Sequence, residues 1–208
     1  AGADDCGCGF EEGSTCDLLS KGWYAYADGR LSEESRAWMA GLPRHFSFRY
    51  AGHRFRVIHG GVSQINRFLF ASQRDALAEE LDASDCDVVV AGHSGLPFVK
   101  QLPAGVWFNP GVIGMPANDG TADGWYGLVR ARGGELRLSI HRLSYDHQGA
   151  AAALRQAGFA HAYADALESG IWPTLDVLPP AERAATGSKL DERSLRWRGP
   201  RYSLGVVS

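Results

Sequence analysis

Two short stretches decide how this chain is read: VIHGG at 57–61 and VVVAGHSG at 88–95. Each is an apolar run that ends at a glycine-flanked histidine, His59 in the first and His93 in the second. Short apolar runs rich in β-branched residues predict buried strands. Glycine allows a tight turn and close approach of the backbone to a ligand. In open α/β sheets, sites form in the crevice beyond the carboxyl ends of the strands, which is where both histidines would lie. Imidazole suits transition-metal ligation or general acid–base chemistry. One strand-end histidine reads as a side chain bonded to a nearby carbonyl, whereas two in the same context read as a site.

Outward from these strands, periodicity switches between helix and strand. Cys16, Leu19, Trp23 and Tyr26 recur at helical spacing between Ser14 and Gly29, predicting a helix over 14–28. A second short helix follows Ser32, with Glu33 and Glu34 at its positive end and Gly41 and Pro43 as its stop. Phe46, Phe48 and Tyr50 alternate with polar residues, and a turn at Ala51–Gly52 makes a hairpin that feeds RFRVIHG. A helix is expected over 72–82, capped by Ser72, with Leu77 and Leu81 on one face. DVVVAGH at 87–93 reads as a strand buried on both faces. FVKQL, VWFNP, WYGLVRAR and ELRLSIHRL continue in β pattern from 98 to 144, the last two joined by Gly133–Gly134. Alanine-rich helices are expected over 147–157 and 160–169, broken at Gly158. This order predicts one mixed α/β domain over residues 1–178 with a second, antiparallel-rich sheet, and a C-terminal arm or tail over 179–208.

Composition narrows the function. The chain has 208 residues, a net charge of −3, 45% apolar and 22% charged residues, which is ordinary globular material. Its apolar runs fall short of the roughly 20 residues a membrane span needs. The net charge offers no global field for nucleic acid, and Arg193, Arg196, Arg198 and Arg201, interleaved with Trp197 and Tyr202, read as a solvated arm. The start, AGADDCGCGFEEG, carries neither a methionine nor the features of a signal or transit peptide, so a cytoplasmic protein is expected. Cys6, Cys8 and Cys16 lack a fourth ligand at metal-site spacing and read as free thiols of a reducing compartment. Cys86 reads as a small buried hydrophobe.

Gly-His-Ser after a strand also fits the nucleophile elbow of a serine hydrolase, with Ser94 as nucleophile. That elbow needs a glycine where Leu96 stands and a helix where Pro97 and a β pattern follow, which demotes Ser94.

The strings VIHGGVSQINRFLF, AGHSGLPFVKQL, WFNPGVIGMPANDGTADGWYGLV and SYDHQGAAAALRQAG, in this order, resemble the C-terminal part of calcineurin-like metallophosphoesterases, in their compact bacterial branch. The likeness runs over roughly residues 40–170, and the NPG to MPANDGT stretch is its most specific element. The resemblance implies a metallophosphoesterase-like β-sandwich flanked by helices. It also implies hydrolysis of a phosphomonoester or phosphodiester by water activated between two divalent metals, manganese, iron or zinc. His59 and His93 match two ligands of one metal, and a small phosphorylated molecule is the implied substrate. Asn109 matches the loop that follows, a turn near the site and a pocket candidate rather than a ligand. Asn118 and Asp119, in the MPANDG segment, are polar pocket candidates or a plain turn. Arg67 is a phosphate-binding candidate, since guanidinium matches phosphate bidentately, or an exposed loop arginine.

Two departures from the pattern matter. Gly95 stands where the family has the second histidine of its Gly-His-x-His block. Residues 1–56 contain no Asp-x-His strand end, Gly-Asp pair or Gly-Asn-His loop: Asp4 and Asp5 follow no apolar strand, and His45 and His53 follow no buried one. The expectation is therefore an α/β metallophosphoesterase-like domain whose N-terminal portion is missing. Such a chain alone would lack strong metal-dependent hydrolysis. A catalytically inactive phosphate- or nucleotide-binding pseudo-enzyme is the alternative. His141, His147 and His161 read as surface residues.

Overall fold

A computed structural model of the chain describes residues 7, 9–158 and 161–199, the last stretch without the side chain of His161. Asp4, Asp5, Cys6, Cys8, Arg201 and Tyr202 lie outside the described residues. The chain opens with two helices, α1 (Thr15–Asp28) and α2 (Glu33–Ala40). Ser14 and Ser32 cap them as their sequence predicts, each side chain accepting from a backbone N–H in the first turn. A hairpin of β1 (His45–Tyr50) and β2 (His53–Ile58) follows, then α3 (Arg74–Ser84) and β3 (Val88–Val90). Next come β4 (Phe98–Gln101), β5 (Val106–Asn109), β6 (Gly124–Arg132) and β7 (Glu135–Leu143). The chain continues through α4 (His147–Gln156), α5 (His161–Ser169), a single turn α6 (Pro180–Ala184) and β8 (Arg193–Trp197).

The strands form two sheets. The first has the order β1-β2-β3-β5-β4, with β2, β3 and β5 parallel and an antiparallel strand at each edge. The second is antiparallel, β6-β7-β8. Strand alternation sorts the apolar side chains between two layers. Phe55, Val88, Val106 and Phe108 face the second sheet and pack against Trp125, Leu136, Leu138 and Trp197. Val89, Ala91 and Trp107 point the other way, against Leu77 and Leu81 of α3. Burying each such side chain contributes about 1.5–3 kcal/mol. The result is a β-sandwich with helices outside it, the mixed α/β architecture with a second antiparallel sheet that the element order predicts and the sandwich that the resemblance implies.

Three details differ from the sequence reading. Ser72 does not cap α3; its N–H and hydroxyl donate to the Glu182 carboxylate at 2.9 and 2.6 Å, and the helix starts two residues later. Cys86 is partly exposed rather than buried, while Cys16 is buried; both thiols are free. The segment read as an arm supplies β8, whose Leu195 and Trp197 pair with Leu138 and Leu136 of β7, so Trp197 is core rather than solvated arm. At the opposite rim β1 is exposed along all six residues, with Phe48 stacked on Phe55. No helix among the described residues is long and apolar enough to cross a membrane.

Candidate functional site

Parallel pairing of β2 with β3 sets Val57 beside Val90, so the chain leaves both strands on the same edge. His59 follows β2 directly, and the Gly92 N–H donates to the His59 carbonyl at 2.8 Å, which ties the two exits together. His93 takes a left-handed backbone, φ +62°, a conformation that costs a non-glycine residue about 1–3 kcal/mol and concentrates at functional sites. It turns the imidazole so that His93 Nδ1 lies 2.9 Å from His59 Nε2, one donating and the other accepting. The ring of Phe68 lies over the other side of His93, centroid to centroid 4.1 Å.

Two anchors hold this pair. The first is Glu80, inside α3 and 1% exposed. It accepts from the Ser63 N–H at 2.9 Å, the Val62 N–H, the Ser63 hydroxyl and the Arg67 guanidinium at 2.6 Å. Burial pushes this carboxyl up, and the hydrogen bonds from Ser63, Arg67 and Val62 outweigh it, leaving it below the usual glutamate range. Glu80 thus clamps the loop after His59. In that loop, a Cβ on Gly60 would sit 2.6 Å from the Ile65 carbonyl oxygen, so the chain folds back more closely than any side chain permits. The second anchor is Asn109, fully buried at the end of β5. Its amide donates to the Gly92 carbonyl and to Ser94 Oγ at 3.2 and 2.9 Å, and its oxygen accepts from the Gly111 N–H.

The other polar candidates stand elsewhere. Arg67 is committed to Glu80. Asp119 is 2% exposed and takes Arg142 at 2.7 Å, the Leu190 N–H and both donors of Thr121. Burial raises its carboxyl and those bonds outweigh it, leaving it below the usual aspartate range. Asn118 accepts from the Trp172 N–H at 2.9 Å and donates to Thr186. Arg67 thus braces the loop after His59, Asn118 holds Trp172, and Asp119 fastens Arg142 and Leu190. Ser94 is buried against Asn109, and the strand β4, not a helix, follows it. His141 lies on β7, bonded to Ser139 and Glu192.

Sequence reading missed Glu80, although Leu77, Glu80, Leu81 and Ser84 share one helical face and all four are buried. It also missed a cleft of about 560 Å³ that opens beside His93. Trp23 and Tyr26 of α1, Phe68, Val112, Met115 and Trp172 are among its walls. Gly95 lies at its edge with φ +72°, and a Cβ there would sit 3.1 Å from the Trp172 indole. The Trp172 indole thus stands against the backbone of Gly95.

The imidazole pair can be tested as a metal site. Two nitrogens about 2.0–2.1 Å from one ion and 2.9 Å apart subtend about 90°, the angle of neighbouring ligands in octahedral coordination. The spacing thus allows two ligands of one ion once the proton shared between His59 Nε2 and His93 Nδ1 has left. Among the described residues no group of three or more His, Cys, Asp or Glu gathers around a common point. They do not make a two-metal centre by themselves.

No family model matches the chain, and no curated protein matches it in sequence. Solved structures do match in fold. A hypothetical protein from Pyrococcus horikoshii OT3 superposes with a TM-score of 0.65 at 14% identity, covering 82% of this chain and 71% of that one. A metallophosphoesterase from Sphaerobacter thermophilus superposes with a TM-score of 0.57 at 19% identity, covering 81% of this chain and 74% of that one. With its two facing sheets, flanking helices and histidines at the ends of neighbouring parallel strands, the chain has a metallophosphoesterase-like fold.

Proposed function

We propose that the chain serves in metal-dependent hydrolysis of a phosphoric ester and contributes His59 and His93 as ligands of one divalent ion, manganese, iron or zinc. The supporting observation is the 2.9 Å approach of the two imidazoles at the exits of adjacent parallel strands. A divalent ion at such a site supplies Lewis-acid polarisation of a phosphoryl oxygen and acidifies a bound water. The chain's own residues supply placement: Glu80 fixes the loop after His59, and Asn109 fixes the turn that carries His93.

Equilibrium dialysis against manganese and zinc tests the ligand assignment. Binding by the wild type that falls at least tenfold in both His59→Ala and His93→Ala is expected; binding unchanged in the double variant overturns it. Manganese-stimulated turnover of bis-p-nitrophenyl phosphate that disappears in His93→Ala carries the hydrolase. A second reading, a phosphate-binding module without turnover, is favoured by Gly95 and Trp172 standing where the family has a ligand. Stoichiometric metal binding with no turnover of that ester selects it.

A further inference from the structure

The cleft beside His93 is not used by the placement just described. It is apolar along most of its wall, and its volume of about 560 Å³ lies inside the roughly 300–1,000 Å³ range of small-molecule sites. Trp23, Phe68, Val112, Met115 and Trp172 supply much of that wall, and His93 is where the cleft borders the imidazole pair. Phe68 belongs to both features, since its ring covers His93 at 4.1 Å and continues into the cleft wall. An occupant is therefore apolar over most of its length, and the cleft leads it to the imidazole pair at His93.

The wall is also fixed. The Trp172 indole N–H donates to the Pro116 carbonyl, and its backbone N–H donates to the buried Asn118 amide oxygen at 2.9 Å. Gly95 leaves room for that indole, which a histidine side chain would displace. The chain has a standing aromatic surface at a position where a ligand set would need a polar side chain. A surface held this way is complementary to hydrocarbon without prior rearrangement, which lowers the ordering cost of binding.

We infer that this cleft receives the apolar group of an amphiphilic phosphoric ester, an alkyl or aryl phosphate whose head lies at the His59–His93 pair. The inference rests on the phosphoric-ester reading above. Isothermal titration of the full 208-residue chain with butyl, hexyl and octyl phosphate in manganese-containing buffer, below their micelle concentrations, tests it. Inorganic phosphate and 1-octanol serve as the head-only and tail-only arms. Each added methylene is expected to tighten binding about three- to fourfold. Octyl phosphate is expected to bind more tightly than either inorganic phosphate or octanol. Val112→Trp, which fills the cleft from a partly exposed position, should flatten the chain-length series; His59→Ala should keep the series and bring octyl phosphate level with octanol.

Affinity independent of chain length in the wild type overturns the inference. So does a cleft taken by a second copy, seen as a dimer that Val112→Trp dissociates and that binds no alkyl phosphate. A chain-length series that persists while octyl phosphate equals octanol, with His59→Ala without effect, overturns the phosphoric-ester head and leaves an apolar-ligand cleft.

Discussion

The Arg67 guanidinium lies 2.6 Å from a Glu80 carboxylate that is 1% exposed, and this pair sets the loop between β2 and α3. Removing the carboxylate takes one acceptor from Arg67, Ser63 and Val62, which are exposed enough for water to replace part of the loss. Glu80→Ala is expected to cost about 1–3 kcal/mol in urea unfolding. It should also weaken manganese binding, because His59 leads that loop.

The same carboxyl makes stability depend on acid. Glu80 and Asp119 are held below their ordinary values of 4.5 and 3.8 by hydrogen bonds that outweigh burial. Their stabilisation is therefore complete above those values and is lost as pH falls through them toward the lower folded-state values. Urea midpoints between about pH 6 and pH 3 should fall more steeply in the wild type than in Glu80→Gln. Parallel curves would show that Glu80 is not charged in the folded state.

Gly95 makes a prediction about restoring the family pattern. At φ +72° with Trp172 3.1 Å from its absent Cβ, Gly95→His meets backbone strain and a tight contact that the indole must yield to. It should lose about 2–4 kcal/mol from strain and overpacking and gain no affinity for manganese or zinc. Tighter metal binding by this variant would mean that Trp172 yields easily.

Arg142 pairs with buried Asp119 and donates to the Leu190 carbonyl, and thereby fastens the segment that leads to β8. Arg142→Met strands Asp119 and should cost about 3–5 kcal/mol. Amide exchange of residues 188–197 should rise well before that of β2 and β3. Uniform acceleration across the chain would disprove a local fastening role.

Trp197 is 5% exposed and packs with its ring 5.0 Å from that of His53. Trp197→Ala should cost about 3–5 kcal/mol by urea unfolding. Less than about 1 kcal/mol would return this residue to the solvent-exposed arm that its sequence context resembles.

What sequence could and could not reveal follows from the range of each signal. The helices α1 and α2 and the β1–β2 hairpin are legible because caps, turns and periodicity act within a few residues. The histidines were legible because each closes an apolar strand. β8 was not, because RSLRW has little alternation and becomes a strand through its pairing with β7. Ser72 looked like a cap, and Glu182, 110 positions later, claims it instead. The cleft was invisible for the same reason: Trp23, Phe68, Val112 and Trp172 share no local pattern.

The exposed β1 ribbon bears on how this molecule keeps company. One side of its backbone is bonded to β2; among the described residues no strand pairs with the other, and Phe46, Phe48 and Tyr50 along it are exposed. Such a rim is a template for any extended chain that meets it. Concentration thus becomes a structural variable, and a purified sample is best compared at several dilutions before any property is assigned to the lone polypeptide.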